Sequence, residues 1–184
     1  MEYPNEIQVY DELIPEDMLH DILDLIKLKG FQYGWKSNKN FTLSHWNLGF
    51  TKTGYSSKNR EDVKDELPFV VRRLWDWIQP FVFGDNPILL RAYCNAHTYG
   101  TEGYIHTDSD ITDDRTAIIY LNTSWKANWA GETVLFDNEE IIKAVMPKWK
   151  RLFVFPSSIK HVARSVSRSC PEARMVLVFK ASKF

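Results

Sequence analysis

The sequence predicts a mainly β domain with helices packed on its outside, and three observations carry that prediction. Two stripes of apolar residues at helical spacing lie in the first half of the chain. From Pro87 onward the pattern changes to short alternating runs, and turn residues separate those runs. Helices followed by a series of short strands point to a sandwich or open barrel that carries the helices externally.

Taken in order, residues 6–11 read as a short strand. Ile14-Pro15-Glu16-Asp17 follows, where a proline and acids at a first turn start a helix. Met18, Leu19, Ile22, Leu23 and Ile26 form its buried stripe, and Gly30 ends it. A second helix is predicted over residues 68–79, burying Val71, Leu74, Trp75 and Ile78. Residues 31–60 are polar and aromatic by turns and read as strands joined by a loop that reaches over a site. Residues 88–97 alternate, with Leu90, Ala92, Cys94 and Ala96 on one face and Arg91, Tyr93, Asn95 and His97 on the other. Further strands are expected at 103–106, 116–122, 133–136, 141–145, 151–155, 161–165 and 174–180.

Length and composition fit one domain over residues 1–184, with 1–86 packing on a core formed by 87–184. The formal net charge of −1 gives no global field toward nucleic acid or an anionic membrane. Aromatics make up 14% of the chain, which suits a β-rich interior or an aromatic-walled pocket. No apolar run approaches the ~18 residues that span a bilayer. The first ten residues lack the basic and apolar regions of a secretory leader. With two cysteines, Cys94 and Cys170, and no disulfide framework, the expected setting is cytoplasmic, and the expected state a monomer or weak dimer.

His106-Thr107-Asp108 ends a predicted strand. Residues two apart in an extended chain project to the same side, so this imidazole and carboxylate reach one ion. Two ligands are a poor cage. His161, after the turn Pro156-Ser157-Ser158, is the candidate third. Two histidines and one carboxylate leave open positions on an octahedral ion, the arrangement of non-haem iron(II) oxygenases.

Further segments, in order, resemble the prolyl 4-hydroxylase-like branch of the iron(II)- and 2-oxoglutarate-dependent dioxygenases. The strand ending in Tyr120-Leu121-Asn122 resembles the one after the family's H-x-D loop. Ala130-Gly131-Glu132-Thr133-Val134-Leu135-Phe136 is similar to its G-G-E-T-x-x-F segment, with alanine for the first glycine. Pro147 to Pro156 resembles the strand leading to the distal histidine. His161 to Val166, followed by Arg174 to Phe179, resembles its closing H-x-x-x-P-V and basic-residue strands. The similarity spans about residues 87–180, and Asp11 to Asp17 also resembles the family's opening.

The resemblance implies a double-stranded β-helix (jelly-roll). It implies His106, Asp108 and His161 as ligands of Fe(II), and Arg174 as partner of the far carboxylate of 2-oxoglutarate, a task a guanidinium suits. Tyr120 matches a tyrosine that supports that carboxylate. The chain departs from the pattern at Ser165, where proline is usual, and at residues 168–172, which lengthen the turn before Arg174. Arg164 and Arg168 therefore compete with Arg174, which alone opens an apolar strand. Upstream, the spacing fits either Tyr99 or the row Tyr93, Asn95, His97 as pocket residues. The implied activity is hydroxylation of a C–H bond with O2 and release of succinate and CO2, with ascorbate as a reductant. The leading substrate is a prolyl residue in a protein or peptide, with Trp125, Trp129 and Trp46 as candidates to line a groove. Nucleic-acid demethylation, hydroxylation of an amino acid or other small molecule, and a non-catalytic binding module stand as alternatives.

Overall fold

The computed structural model describes residues 6–36, 42–52 and 60–182. In chain order its elements are β1 (Gln8–Tyr10), α1 (Glu16–Lys29), β2 (Gln32–Trp35), β3 (His45–Gly49), α2 (Phe69–Val82), β4 (Ile88–His97), β5 (Asp114–Tyr120), β6 (Thr133–Asp137), β7 (Glu140–Val145), β8 (Leu152–Pro156), β9 (Lys160–Ala163) and β10 (Arg174–Ser182).

Both helices form where the apolar stripes require them. Pro15 precedes α1, whose first turn holds Glu16 and Asp17 and whose last holds Lys27 and Lys29, each sign matched to the helix dipole. Gly30, at φ +72°, closes it by donating its N–H to the Ile26 carbonyl. In α2 the stripe Val71, Leu74, Trp75 and Ile78 is fully buried, and the helix runs past Gln79 through Pro80 to Val82.

The strands form a seven-stranded antiparallel sheet in the order β1-β8-β5-β10-β4-β3-β2, and a three-stranded sheet in the order β7-β6-β9. One face of the large sheet packs against both helices through Ala92, Cys94, Ile119, Leu177 and Phe179. Its other face meets the small sheet through Tyr93, Ile118, Leu135, Phe153, Phe155 and Val178. This is the jelly-roll with external helices, the double-stranded β-helix. No described helix is long and apolar enough to cross a membrane.

Two details differ from the strand pattern expected of the sequence. Pairing of β10 with β4 shifts between Lys180 and Ala181, so Leu89, in place of Leu90, joins the helix-side core. Residues 103–106 form no continuous strand. Gly103 donates to the Ala163 carbonyl and His106 to that of His161, so three steps of one chain oppose two of the other and no ladder propagates. Of the loop expected over the site, residues 37–41 and 53–59 lie outside the described residues; β2 and β3 are its described parts.

Candidate metal centre and co-substrate pocket

His106 and His161 exchange two backbone hydrogen bonds, at 3.0 and 2.8 Å. Such a pair places both side chains on one side of the pleat, and the ring centroids lie 4.5 Å apart. Asp108 lies two residues on, its N–H donating to the Ser157 carbonyl at 2.8 Å in the turn between β8 and β9. Backbone bonds thus fix all three residues before any ion arrives.

Their ligating atoms lie within 4.8 Å of one another. His106 Nδ1 is 2.7 Å from the Tyr104 carbonyl and His161 Nδ1 is 2.9 Å from that of Ile159. Carbonyls only accept, so each Nδ1 carries the hydrogen and each Nε2 presents its lone pair. Both Nε2 atoms stand 3.4 Å from Asp108 oxygens, on Oδ1 for His106 and Oδ2 for His161. Converging acceptors repel unless positive charge stands between them, so the donor set fits a divalent cation, and the N,N,O chemistry fits iron(II).

Asp108 is only 3% exposed. Burial would push its carboxyl up. The ammonium charge of Lys180 is the largest influence against that, and the carboxyl is held well below the usual carboxylate range. Lys180 Nζ is 2.6 Å from Oδ1, and Thr116 Oγ1 donates to Oδ2 at 2.7 Å. Ser157 Oγ, 2.9 Å from Thr116 Oγ1, must then donate to it. For His106, burial acts downward, but the Asp108 carboxylate prevails and raises its affinity for positive charge.

The three ligands line a cavity of about 870 Å³ between the sheets. Arg174, 1% exposed, enters the same cavity from the start of β10. Its Nε donates to the Gly131 carbonyl at 2.6 Å and its Nη2 to Thr133 Oγ1 at 2.7 Å. Tyr120 donates its hydroxyl hydrogen to the Val145 carbonyl at 3.0 Å, so the 2.7 Å contact with Thr133 Oγ1 runs from threonine to tyrosine. The polarised chain Arg174, Thr133, Tyr120, Val145 locks the guanidinium while leaving it further N–H donors for a carboxylate.

Tyr120 therefore stands behind Thr133 and is not among the cavity-lining residues. Of the two upstream alternatives, Asn95 lines the cavity with Tyr93 and His97, whereas Tyr99 is 63% exposed in the turn after β4 and does not. Asn95 Oδ1 is held by Asn47 Nδ2 at 2.8 Å. Arg164 and Arg168 are exposed and outside the lining; Trp129 is buried, Trp125 and Trp46 are half-buried, and all three are outside it too. The tryptophan in the wall is Trp35, from β2. Lys180, Thr116, Thr133 and Arg91 were not singled out from the sequence as site residues. Alternation along β10, counted from Arg174, places Val176, Val178 and Lys180 on the same inward face and is the signal that finds Lys180.

Residues 94–179 match the sequence model of the family described as the 2OG-Fe(II) oxygenase superfamily. The matched stretch contains His106, Asp108, His161 and Arg174. Solved structures share the fold across nearly the whole chain. An oxidoreductase of the 2OG-Fe(II) oxygenase family from Burkholderia pseudomallei aligns with a TM-score of 0.73 at 14% identity, covering 98% of this chain and 87% of its own. A prolyl-4-hydroxylase from Pseudomonas putida aligns at 0.66 and 14% identity, covering 97% and 93%. HygX from Streptomyces hygroscopicus, solved with nickel, 2-oxoglutarate and hygromycin B, aligns at 0.65 and 10% identity, covering 97% and 83%. No curated protein matches the chain in sequence.

Proposed function

We propose that this chain is an iron(II)- and 2-oxoglutarate-dependent oxygenase that hydroxylates a substrate C–H bond with release of succinate and carbon dioxide. The observation that carries the reading is one cavity holding both a His106–Asp108–His161 donor set without a hydrogen among its ligating atoms and a buried arginine with donors to spare. His106, Asp108 and His161 would hold the metal, and Arg174, braced by Thr133, would hold the far carboxylate of 2-oxoglutarate. Bound together, iron and 2-oxoglutarate supply the oxidising power from O2. The protein's part is orientation: Thr116 and Lys180 fix the Asp108 carboxylate, and the Tyr104 and Ile159 carbonyls fix the imidazoles.

For the substrate, the sequence resemblance and the likeness to the Pseudomonas putida prolyl-4-hydroxylase support a prolyl residue in a protein or peptide. The comparable likeness to HygX, solved with the small molecule hygromycin B, supports a small-molecule oxygenase as the second reading. The setting we propose is cytoplasmic, in keeping with free Cys94 and Cys170.

Purified protein given iron(II), ascorbate and 2-oxoglutarate is expected to release succinate slowly without prime substrate. Asp108→Ala is expected to abolish iron binding and that turnover together. Iron binding that is absent, or unchanged in Asp108→Ala, sinks the oxygenase reading. Mass spectrometry of proline-containing peptides and of small-molecule pools for the gain of one oxygen atom separates the two substrate readings.

A further inference from the structure

The wall of the cavity opposite Arg174 is also cationic. β4 and β10 pair so that Arg174 faces His97 at one end and Lys180 faces Arg91 at the other. Six residues of extended strand separate the ends, about 20 Å along the sheet. Arg91 is held over two aromatic rings, its Cζ 4.8 Å from the Trp35 centroid and 4.5 Å from that of Tyr93. Lys180 Nζ lies 5.5 Å from the same Tyr93 ring, and Lys36 follows Trp35 at the edge.

Charge balance makes this wall informative. Among the described residues the cavity lining holds four basic side chains, Lys36, Arg91, Arg174 and Lys180, and one acidic side chain, Asp108. A divalent metal and a dianionic co-substrate cancel one another, so loading the site leaves the positive excess untouched. Lys180 is committed to Asp108. Arg91 has no carboxylate partner among the described residues. A partly buried guanidinium with only ring faces for company keeps its N–H edge without a protein acceptor. That edge matches a planar anion in two parallel hydrogen bonds.

On the oxygenase reading proposed above, we infer that Arg91, with Lys36 in the same wall, is a substrate-recognition site for a carboxylate. The substrate is thus an acid, such as an amino-acid derivative or a chain end, seated with its carboxylate on Arg91 and its oxidised carbon toward the metal centre.

The test uses the full chain loaded with nickel(II), which keeps the site unreactive, and 2-oxoglutarate, each binding step being measured first by calorimetry. The loaded protein is then titrated with N-acetylproline and N-acetylleucine, with the corresponding neutral amides, and with phenyl phosphate. At least one acid is expected to bind more tightly than its amide by about tenfold or more. Arg91→Gln is expected to erase that preference, and Arg91→Lys, which keeps the charge but not the paired donors, to retain part of it. Equal binding of acid and amide, no acid binding up to about 10 mM, tighter binding of the phosphate ester, or a preference that survives Arg91→Gln overturns the inference alone. Failure of nickel and 2-oxoglutarate to bind overturns it together with the oxygenase reading.

Discussion

Arg174 and Thr116 serve different halves of the site, and replacing each in turn separates those halves. Arg174→Ala removes the buried guanidinium that reaches Gly131 and Thr133. It is expected to raise the 2-oxoglutarate concentration needed for half-saturation by about a hundredfold, roughly 3 kcal/mol for a charge-assisted buried contact, and to leave metal affinity nearly unchanged. Arg164→Ala and Arg168→Ala, both at exposed positions, are expected to change neither. Thr116→Val keeps the shape of the side chain but deletes the donor to Asp108 Oδ2, so iron(II) affinity should fall about 10–100-fold. Titration of each variant with metal and with 2-oxoglutarate reads both effects. The candidate ligand set was legible in the sequence because H-x-D spacing offers one imidazole and one carboxylate, and the segments around it, His161 included, resemble a known family. The second layer was not, because Thr116 reaches Asp108 and Thr133 reaches Arg174 only after distant strands pair.

At the scale of elements, the helices were the most legible part of the chain, since an uninterrupted stripe at helical period has few other ways to be buried. The strands were legible wherever a ladder runs on both sides, as for β4 and β10. They were not legible at residues 103–106, where tertiary pairing with β9 skips a residue and apolar alternation carries no information about the skip. The turn before β6 shows how an element boundary sets the site. Gly131 sits at φ +81°, and a Cβ there would come within 3.2 Å of Trp125 and Val166 and 3.3 Å of Arg174 Cδ. Gly131→Ala is therefore expected to cost about 1–3 kcal/mol in urea unfolding, from left-handed strain and overpacking. Because the carbonyl of Gly131 holds Arg174, it is also expected to weaken 2-oxoglutarate binding while sparing the metal.

At the scale of the whole molecule, closing two sheets around a polar cavity buries groups that prefer water, and two histidines record the cost. His45 from β3 and His97 from β4 stack with centroids 4.6 Å apart, and both are almost inaccessible, at 2% and 3% exposure. Burial lowers His45 to about 4 and His97 to about 3, and the nearby charge of Arg174 acts in the same direction on both. Asn95 acts upward on His45, as Thr101 does on His97, but neither prevails. In the unfolded chain a histidine titrates near ~6.5. Between that value and about 4 the unfolded chain therefore holds a proton on His45 that the fold excludes, so stability is full above the unfolded value and declines as pH falls through this window. For the metal-free protein, His45 alone should remove roughly 2 kcal/mol of unfolding free energy between pH 7 and pH 5. His45→Phe keeps a flat ring against His97 and has no proton to gain, so its stability should fall by about that much less over the same interval. Urea unfolding of both proteins at the two pH values measures the difference. Equal slopes would mean that the folded protein admits the proton at His45, and that the polar end of the cavity is wetter than its burial implies.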